Sequence, residues 1–472
     1  MRNAPGEGAD YLKRIKAAAV IVLAVFFAAN SVQAQTKRDV AALERYVHEP
    51  MPREFKVAIS KLEGPIYTDA SGRTVYQWVR KELRNGGAGD MKGGVSNCEN
   101  VKTTESLGLM SPYPPGLVLP DIETRKTCEE MWPPVLAAGD AKPVGKWSII
   151  KRKDGRDQWA YDGFVLYRSA MDKKPGDTIG GTKLGRRSND PPGAGGGGNA
   201  VNRALIGPPP DVPGQFIVDQ TLVGRQLMLN DGVSVYTWDR DGINKSNCDE
   251  KCADTWKPVL APQVGAAARE EWSVIERSPG VRQWAYRGRP LYTYVEERSL
   301  PGLQHGTDVP GWNLVYTQFA PVPPPEFTHE VSAAGYVLAD SKGKTIYIYS
   351  CGDDASDQLL CDHPDTPQEY RYAVCGGGDP KRCLTTFPYV IAASPKGSNE
   401  AWSVMAIDPA TGHRAKDGQA DAINVWAYRE RPVFTFARDE RPGSIKAQSW
   451  GEMYGTRNGF KVFFLREEFQ GR

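Results

Sequence analysis

Residues Val235–Pro262 read VYTWDRDGINKSNCDEKCADTWKPVLAP, and Arg282–Tyr294 read RQWAYRGRPLYTY. Both stretches hold aromatic residues two positions apart, Tyr236 with Trp238 and Tyr292 with Tyr294. Residues i and i+2 share one face of an extended strand, so each pair forms an aromatic row, and short strands are expected rather than helices. Gly232 and Gly288 each stand four residues before the first ring, where a glycine suits a tight turn with positive φ. The pattern reads as hairpin after hairpin.

Working outward, the same module is written three times. The strand TVYQW (Thr74–Trp78) recurs as SVYTW (Ser234–Trp238) and TIYIY (Thr345–Tyr349). Each is preceded by Pro-x-x-Phe, at Pro52, Pro213 and Pro324, and followed by WSII, WSVI and WSVM from Trp147, Trp272 and Trp402. Next come QWAYDG, QWAYRG and VWAYRE, carrying Trp159, Trp284 and Trp426, and each copy closes on Pro-Gly at Pro175, Pro301 and Pro442. The half-motif Gly-x-x-(Val/Leu/Ile)-(Tyr/Phe)-x-aromatic occurs at Gly72, Gly232, Gly288 and Gly343; Gly163 opens a near copy containing Tyr167, and Glu430 replaces the glycine in a sixth, containing Phe434 and Phe436. The middle copy is the compact form: Tyr236 and Trp284 are 48 residues apart, against 83 for Tyr76 and Trp159 and 79 for Tyr347 and Trp426. Inserted loops on an unchanged frame lie on the surface and are where specificity is sought.

The expected fold is all-β: three tandem, small antiparallel sandwich- or barrel-like modules, each of two half-repeats, with a six-bladed propeller-like arrangement as the alternative. The expected division is a signal peptide over 1–34, an N-terminal segment over 35–51 with a short helix near 40–47, modules over 52–185, 213–319 and 324–472, a flexible Gly/Pro-rich linker over 186–212 and a short Pro-rich one over 320–323. Lys13, Arg14 and Lys16 precede an uncharged run of 13 residues, Ala17–Ala29, and the small residues Val32 and Ala34 mark a cleavage site near Ala34. That run is too short to span a bilayer, and no second one follows, so no membrane span is expected in the mature chain, which is placed in the periplasm or outside the cell. With 59 basic against 57 acidic residues, no field points to nucleic acid.

The two stretches quoted first closely resemble the bacterial secreted repeat of unknown function, a predicted lipoprotein family with a Tyr-x-(Phe/Trp/Tyr)-x-x-Asp motif. The resemblance runs through all three modules and is strongest in the second. It implies an exported envelope protein and no assigned reaction. Two departures stand out: no cysteine precedes Cys98, so there is no lipobox, and the motif acid is present only in some copies.

Five residues after the motif Tyr or Phe stand Asp172, Asp241, Glu297 and Asp439, but also Lys81 and Gly352. Clustered carboxylates are calcium ligands in principle. The favoured reading has each accept backbone N–H bonds in the turn that ends the strand, since DRDGINKSN lacks the acid pattern of a calcium loop. Eight cysteines in an exported chain point to disulfides. Cys128, Cys252 and Cys383 align ahead of an aromatic residue, and Cys98 aligns with Cys248, giving Cys98–Cys128 and Cys248–Cys252. Cys351, Cys361, Cys375 and Cys383 allow three pairings, of which Cys351–Cys383 matches the other modules. No zinc or haem pattern occurs among five histidines, and Cys361 with His363 is the one Cys-His proximity. Hydrolase patterns are absent, and Asp353 with Asp354 is an acidic pair in a loop. The rings of Tyr76, Trp78, Tyr167, Trp159, Tyr236, Trp238, Trp284, Tyr292, Tyr294, Tyr347, Tyr349, Trp426, Phe434 and Phe436 are assigned to the repeat core rather than to a sugar-stacking site.

These readings favour a non-catalytic envelope protein that binds or scaffolds, with an envelope protein or surface glycan as partner and no cofactor. A periplasmic redox or metal-handling protein using the cysteines of the third module is the alternative, and a carbohydrate-acting enzyme comes third.

Overall fold

The computed structural model describes residues 42–83, 86–106, 114–119, 122–181, 204–265, 268–297, 303–333, 335–351, 363–448, 450–451 and 459–465. The expected signal peptide, Cys361, Asp353 and Asp354 lie outside them. The fold is all-β, built from antiparallel pairs with a few short helices. Among the described residues no sheet closes into a barrel.

Each repeated aromatic strand is the centre of a three-strand group. Tyr76–Gln77 lies between Phe164–Tyr167 and Ala204–Leu205, and Tyr236–Trp238 between Tyr292–Tyr294 and Trp312–Leu314. Tyr347–Ser350 lies between Arg431–Phe434 and Gly459–Val462. The register pairs the two half-motifs directly: Tyr76 opposite Tyr167, Tyr236 opposite Tyr292, Tyr347 opposite Phe434. Half-repeats that share one sheet are not separate blades, which removes the six-bladed alternative.

The Trp-Ser strands form hairpins with the Trp-Ala-Tyr strands. Trp147 pairs with Tyr161, Trp272 with Tyr286 and Trp402 with Tyr428. The chain then turns through two residues with positive φ, Asp162-Gly163, Arg287-Gly288 and Arg429-Glu430. Positive φ at both central residues is the type I′ geometry whose twist matches the flanking strands. At the second turn position Glu430 holds φ +64 where the other two copies place glycine.

Two aromatic cores result. One gathers the phenylalanine of Pro-x-x-Phe with two tryptophans: Phe55 lies 4.2 Å from Trp147 and 5.5 Å from Trp159, Phe216 4.7 Å from Trp272 and 6.3 Å from Trp284, Phe327 5.3 Å from Trp402 and 5.8 Å from Trp426. The other surrounds the strand tyrosines. Tyr76, Tyr236 and Tyr347 are each 0% exposed, and each meets an aromatic ring edge-on, Trp132, Trp256 and Phe387 respectively. That ring is set by a short helix, Cys128–Met131, Glu250–Thr255 or Pro380–Thr386, whose last turn closes when the aromatic N–H bonds the Cys128, Cys252 or Cys383 carbonyl. Thr127, Asp249 and Asp379 cap the N-termini.

The described part of the expected helix near 40–47 is extended instead. Val47 N–H bonds Pro209 O, Asp211 N–H bonds Arg45 O, and Glu44 is buried against Arg225. These bonds to 209–211 satisfy backbone groups that a helix would have paired internally. The end of the expected 186–212 linker is likewise structured, since Ala204–Leu205 adds the edge strand beside Tyr76.

The chain divides into two compact units: Met1–Leu43, Gly214–Ile217 and Gln226–Phe319 form one; Glu44–Pro213, Val218–Arg225 and Ala320–Arg472 form the other. The first and third copies thus share the second unit. There the turn between strands Phe55–Ser60 and Gly64–Asp69 enters the third copy: Leu62 packs in one cluster with Trp402 and Trp426, Lys61 N–H bonds Glu400 at 3.0 Å, and Glu63 pairs with Arg429.

Candidate functional site

The motif acids are tied to tyrosines of the opposite half-motif. The Tyr76 hydroxyl donates to Asp172 at 2.6 Å, Tyr236 to both Glu297 oxygens at 2.9 Å, and Tyr347 to Asp439 at 2.7 Å. Each acid also accepts a backbone N–H from the loop that follows, Gly180 at 3.2 Å, Gly306 at 2.7 Å and Lys446 at 3.2 Å. In the second unit's first copy and in the other unit, the acid therefore fastens the segment after its strand onto the buried tyrosine ring. A Cβ on Gly306 would come within 2.7 Å of the Tyr236 ring, so only glycine permits that approach.

The reverse crossing exists in two copies. Tyr167 donates to Asp90 at 2.6 Å and meets Ser96 Oγ at 2.8 Å; Tyr292 meets Ser246 Oγ at 2.7 Å and lies against Asp241. Asn97 and Asn247 N–H groups cap Asp90 and Asp241 at 2.8 and 2.7 Å. Asp90 was missed by the five-residue spacing because extra residues separate it from Tyr76; its signal is the shared Ser-Asn-Cys a few residues downstream. In the third copy Phe434 stands at this position and has no hydroxyl to donate. Burial governs the electrostatics. It pushes Asp172 up to about 6, raises Asp241, lifts Tyr76 and Tyr347 far above the ordinary tyrosine value, and, with the Asp241 charge, brings Tyr292 up to about 12.

Among the described residues no group of three or more His, Cys, Asp or Glu side chains is placed to hold a metal ion. Asp172 lies in the first copy, Asp241 and Glu297 in the second and Asp439 in the third, each engaged as above. His363 is buried and accepts the Asp365 N–H on Nδ1 at 3.3 Å, which places its proton on Nε2. Burial, with Arg431, Arg414 and Lys173 nearby, pushes its pKa well below 6.5. Cys98 is bonded to Cys128 and Cys248 to Cys252, with Cα separations of 5.3 and 5.2 Å. In the third copy Cys375 is bonded to Cys383 across 4.6 Å, so the Cys351–Cys383 pairing does not form. The reason is local: two successive helices, Glu369–Gly376 and Pro380–Thr386, carry those two cysteines and pack together. Cys351 is also disulfide-bonded.

The repeated rings are placed inward, with Trp78, Trp159, Trp284, Trp426, Tyr167, Tyr292, Tyr349, Phe434 and Phe436 all buried. Trp238 and Tyr294 are partly exposed and end a ladder of rings, Trp238–Trp312–Trp256–Tyr294, with centroid steps of 5.3, 3.7 and 4.6 Å. Tyr349–Phe460–Phe387–Phe436 repeats that ladder in the third copy with steps of 5.2, 3.6 and 4.9 Å.

What the repeat leaves open is a cavity of about 1130 Å³ in the second unit. The loop inserted between Cys98 and Cys128 contributes Thr124, Arg125 and Lys126 to its wall. The third copy contributes His363, Asp365 and Arg414, from stretches that have no counterpart in the compact middle copy. The remaining wall is repeat frame, including the segment 170–179 after Tyr167, with Lys173, Lys174 and Asp177, the strand residues Ile59 and Ile66, and the Ser60–Glu400 contact. Thus the loops inserted in the two long copies face each other across one space.

Residues 148–183 match the family model of a secreted repeat of unknown function. That secreted-repeat match spans the Trp159 hairpin, Tyr167, Asp172 and the 170–179 wall of the cavity. No curated protein and no solved structure matches the chain. The described residues contain no helix long and apolar enough to cross a membrane.

Proposed function

We propose that the chain is an exported, non-catalytic envelope protein whose repeated residues hold the fold and whose inserted loops bind. The observation that carries this reading is the division of labour between repeated and unrepeated residues. The repeated polar groups are spent inside, on tyrosine hydroxyls and backbone amides, whereas the insertions of the first and third copies add Thr124, Arg125, Lys126, His363, Asp365 and Arg414 to a cavity whose other wall residues belong to the frame. The repeated module serves as a frame within each unit, and binding or scaffolding of an envelope protein or surface glycan is the activity that such a frame supports. No reaction is proposed: the motif acids are each committed to a hydroxyl, and Cys375 with Cys383 is buried as a disulfide rather than presented as a reactive thiol.

The test is a loop exchange. Residues 99–127 are replaced by the three-residue spacer of the middle copy, Asp249-Glu250-Lys251, and the full chain and the variant are compared for binding to isolated envelope glycans and to defined envelope proteins. The proposal expects a partner bound by the full chain and lost in a variant that keeps its circular dichroism and melting profile. Equal binding by a folded variant, or turnover of a bound glycan, overturns it.

A further inference from the structure

We infer that the cavity of the second unit receives a small polyanion, a molecule bearing carboxylate or phosphate groups, held against Lys173 and Lys174. This rests on the reading that the cavity is the binding site, and adds the chemistry of its ligand.

The carboxylates of the wall each already accept a hydrogen bond. Asp177 Oδ2 takes the Lys173 and Lys174 backbone N–H groups at 2.8 and 2.9 Å. Asp365 takes Arg414 at 3.1 Å, Glu430 takes the same guanidinium at 2.6 Å, and Glu400 takes Lys61 N–H and Ser60. The donors are not used to the same degree. Among the described residues the Lys173 ammonium meets only the Ala170 carbonyl, at 2.6 Å, and the exposed Lys174 ammonium has no bonded partner. Arg125 and Lys126 stand on the same wall. His363, held neutral by burial with Arg431, Arg414 and Lys173 nearby, lines the same space. Donors that exceed acceptors in a concave wall favour an anion, because a low-dielectric rim concentrates the field.

Two alternatives fit less well. Among the described residues the wall carries no tryptophan, tyrosine or phenylalanine, so a neutral sugar finds no ring there to stack on. An apolar ligand would have to strip water from Lys173 and Lys174 without compensation. At about 1130 Å³ the space exceeds one inorganic ion and suits a molecule with several charged groups.

The experiment is titration calorimetry on the full chain with citrate and pyrophosphate as carboxylate and phosphate probes, and maltotriose as a neutral one. The expected result is binding of one anion that weakens with salt and falls about tenfold in Lys173→Gln/Lys174→Gln. Lys342→Gln/Lys344→Gln, outside the wall, is expected to bind as the parent does. Absence of binding by both anions overturns the inference, as does an equal loss in both double variants or none in either. Maltotriose binding that disappears in the 99–127 loop exchange, with no anion bound, sinks the ligand class and leaves the binding reading standing; anion binding that survives the loop exchange but falls in Lys173→Gln/Lys174→Gln sinks the inserted-loop reading and leaves the ligand class standing.

Discussion

Replacing Tyr76 by Phe removes one oxygen and keeps the ring, so it isolates the hydroxyl bond to Asp172. The acid is 1% exposed and would keep only the weaker Gly180 N–H bond at 3.2 Å from those two contacts. A hydrogen bond to a charged group contributes about 1.5–3 kcal/mol, and a neutral one about 1. The two regimes are separated by pH. Asp172 titrates near 6 in the fold against an ordinary value of 3.8, so the folded chain holds that proton more tightly than the unfolded one. Its stabilising effect, about 3 kcal/mol, is therefore fully present below pH 3.8 and lost as pH rises through 6. Tyr76→Phe is expected to cost about 2 kcal/mol well above pH 6, where the carboxylate is charged, and about 1 kcal/mol well below it. Because two compact units need not melt together, the readout is hydrogen exchange of the 172–181 segment, with Asp172→Asn and the double variant completing a cycle. A change within about 0.5 kcal/mol at both pH values, or the same loss at both, would refute the crossing as a stabilising contact.

Cys98–Cys128 closes 30 residues and Cys248–Cys252 closes 4, so replacing each pair by serine should cost about 3.5 and about 2 kcal/mol on the loop-entropy relation, ranked by chemical denaturation. Equal costs would show that strain or packing, not loop closure, dominates. Arg277 bonds Gln283 at 2.9 Å and the Cys248 carbonyl; Arg277→Ile should cost about 2 kcal/mol, and adding Gln283→Val should recover part of it, as judged by melting temperature. A double variant worse than the single one defeats that account. Gly288→Ala places a Cβ at φ +74 and 3.1 Å from Ile243, and should lose about 1–2 kcal/mol; an unchanged melting temperature would mean that the turn relaxes.

The frame was readable because its determinants are local. Tyr236 with Trp238, the turn glycines and the Trp-Ala-Tyr strands specify extended, inward-facing rows by spacing alone, and the rings of all three copies are found in the two cores. The pairing of motif acids was not readable, because each acid answers a tyrosine from the other half-motif, 96 residues away for Tyr76 and Asp172 and 61 for Tyr236 and Glu297. A spacing rule sees the five-residue step from Tyr167 to Asp172 and assigns the acid to its own strand. The structure shows that it closes the next segment over its partner's ring. The short helix near 40–47 failed for a related reason, since the bonds that hold Glu44 to Val47 extended come from residues 209–211 and Arg225.

The third copy indicates what these polar crossings do for the module. Where the first two copies pair an arginine with a buried glutamine, Arg152 with Gln158 and Arg277 with Gln283, the third has Ile407 and Val425, both 0% exposed. Where they set Tyr167 and Tyr292 on a serine and an acid, the third has Phe434 beneath the Arg371 guanidinium, 5.3 Å from the ring. The copy keeps its sheet order through both changes, so neither crossing is required to form the fold. Tyr347 and Asp439, by contrast, are retained, and that pair fastens the segment through Ser444 and Lys446 onto the sheet. In the first copy the corresponding segment, 170–179, is a wall of the cavity. The retained crossing is therefore the one that positions the segment after the second half-motif, which gives the repeat a physical link between its most constant polar pair and the surface where its copies differ.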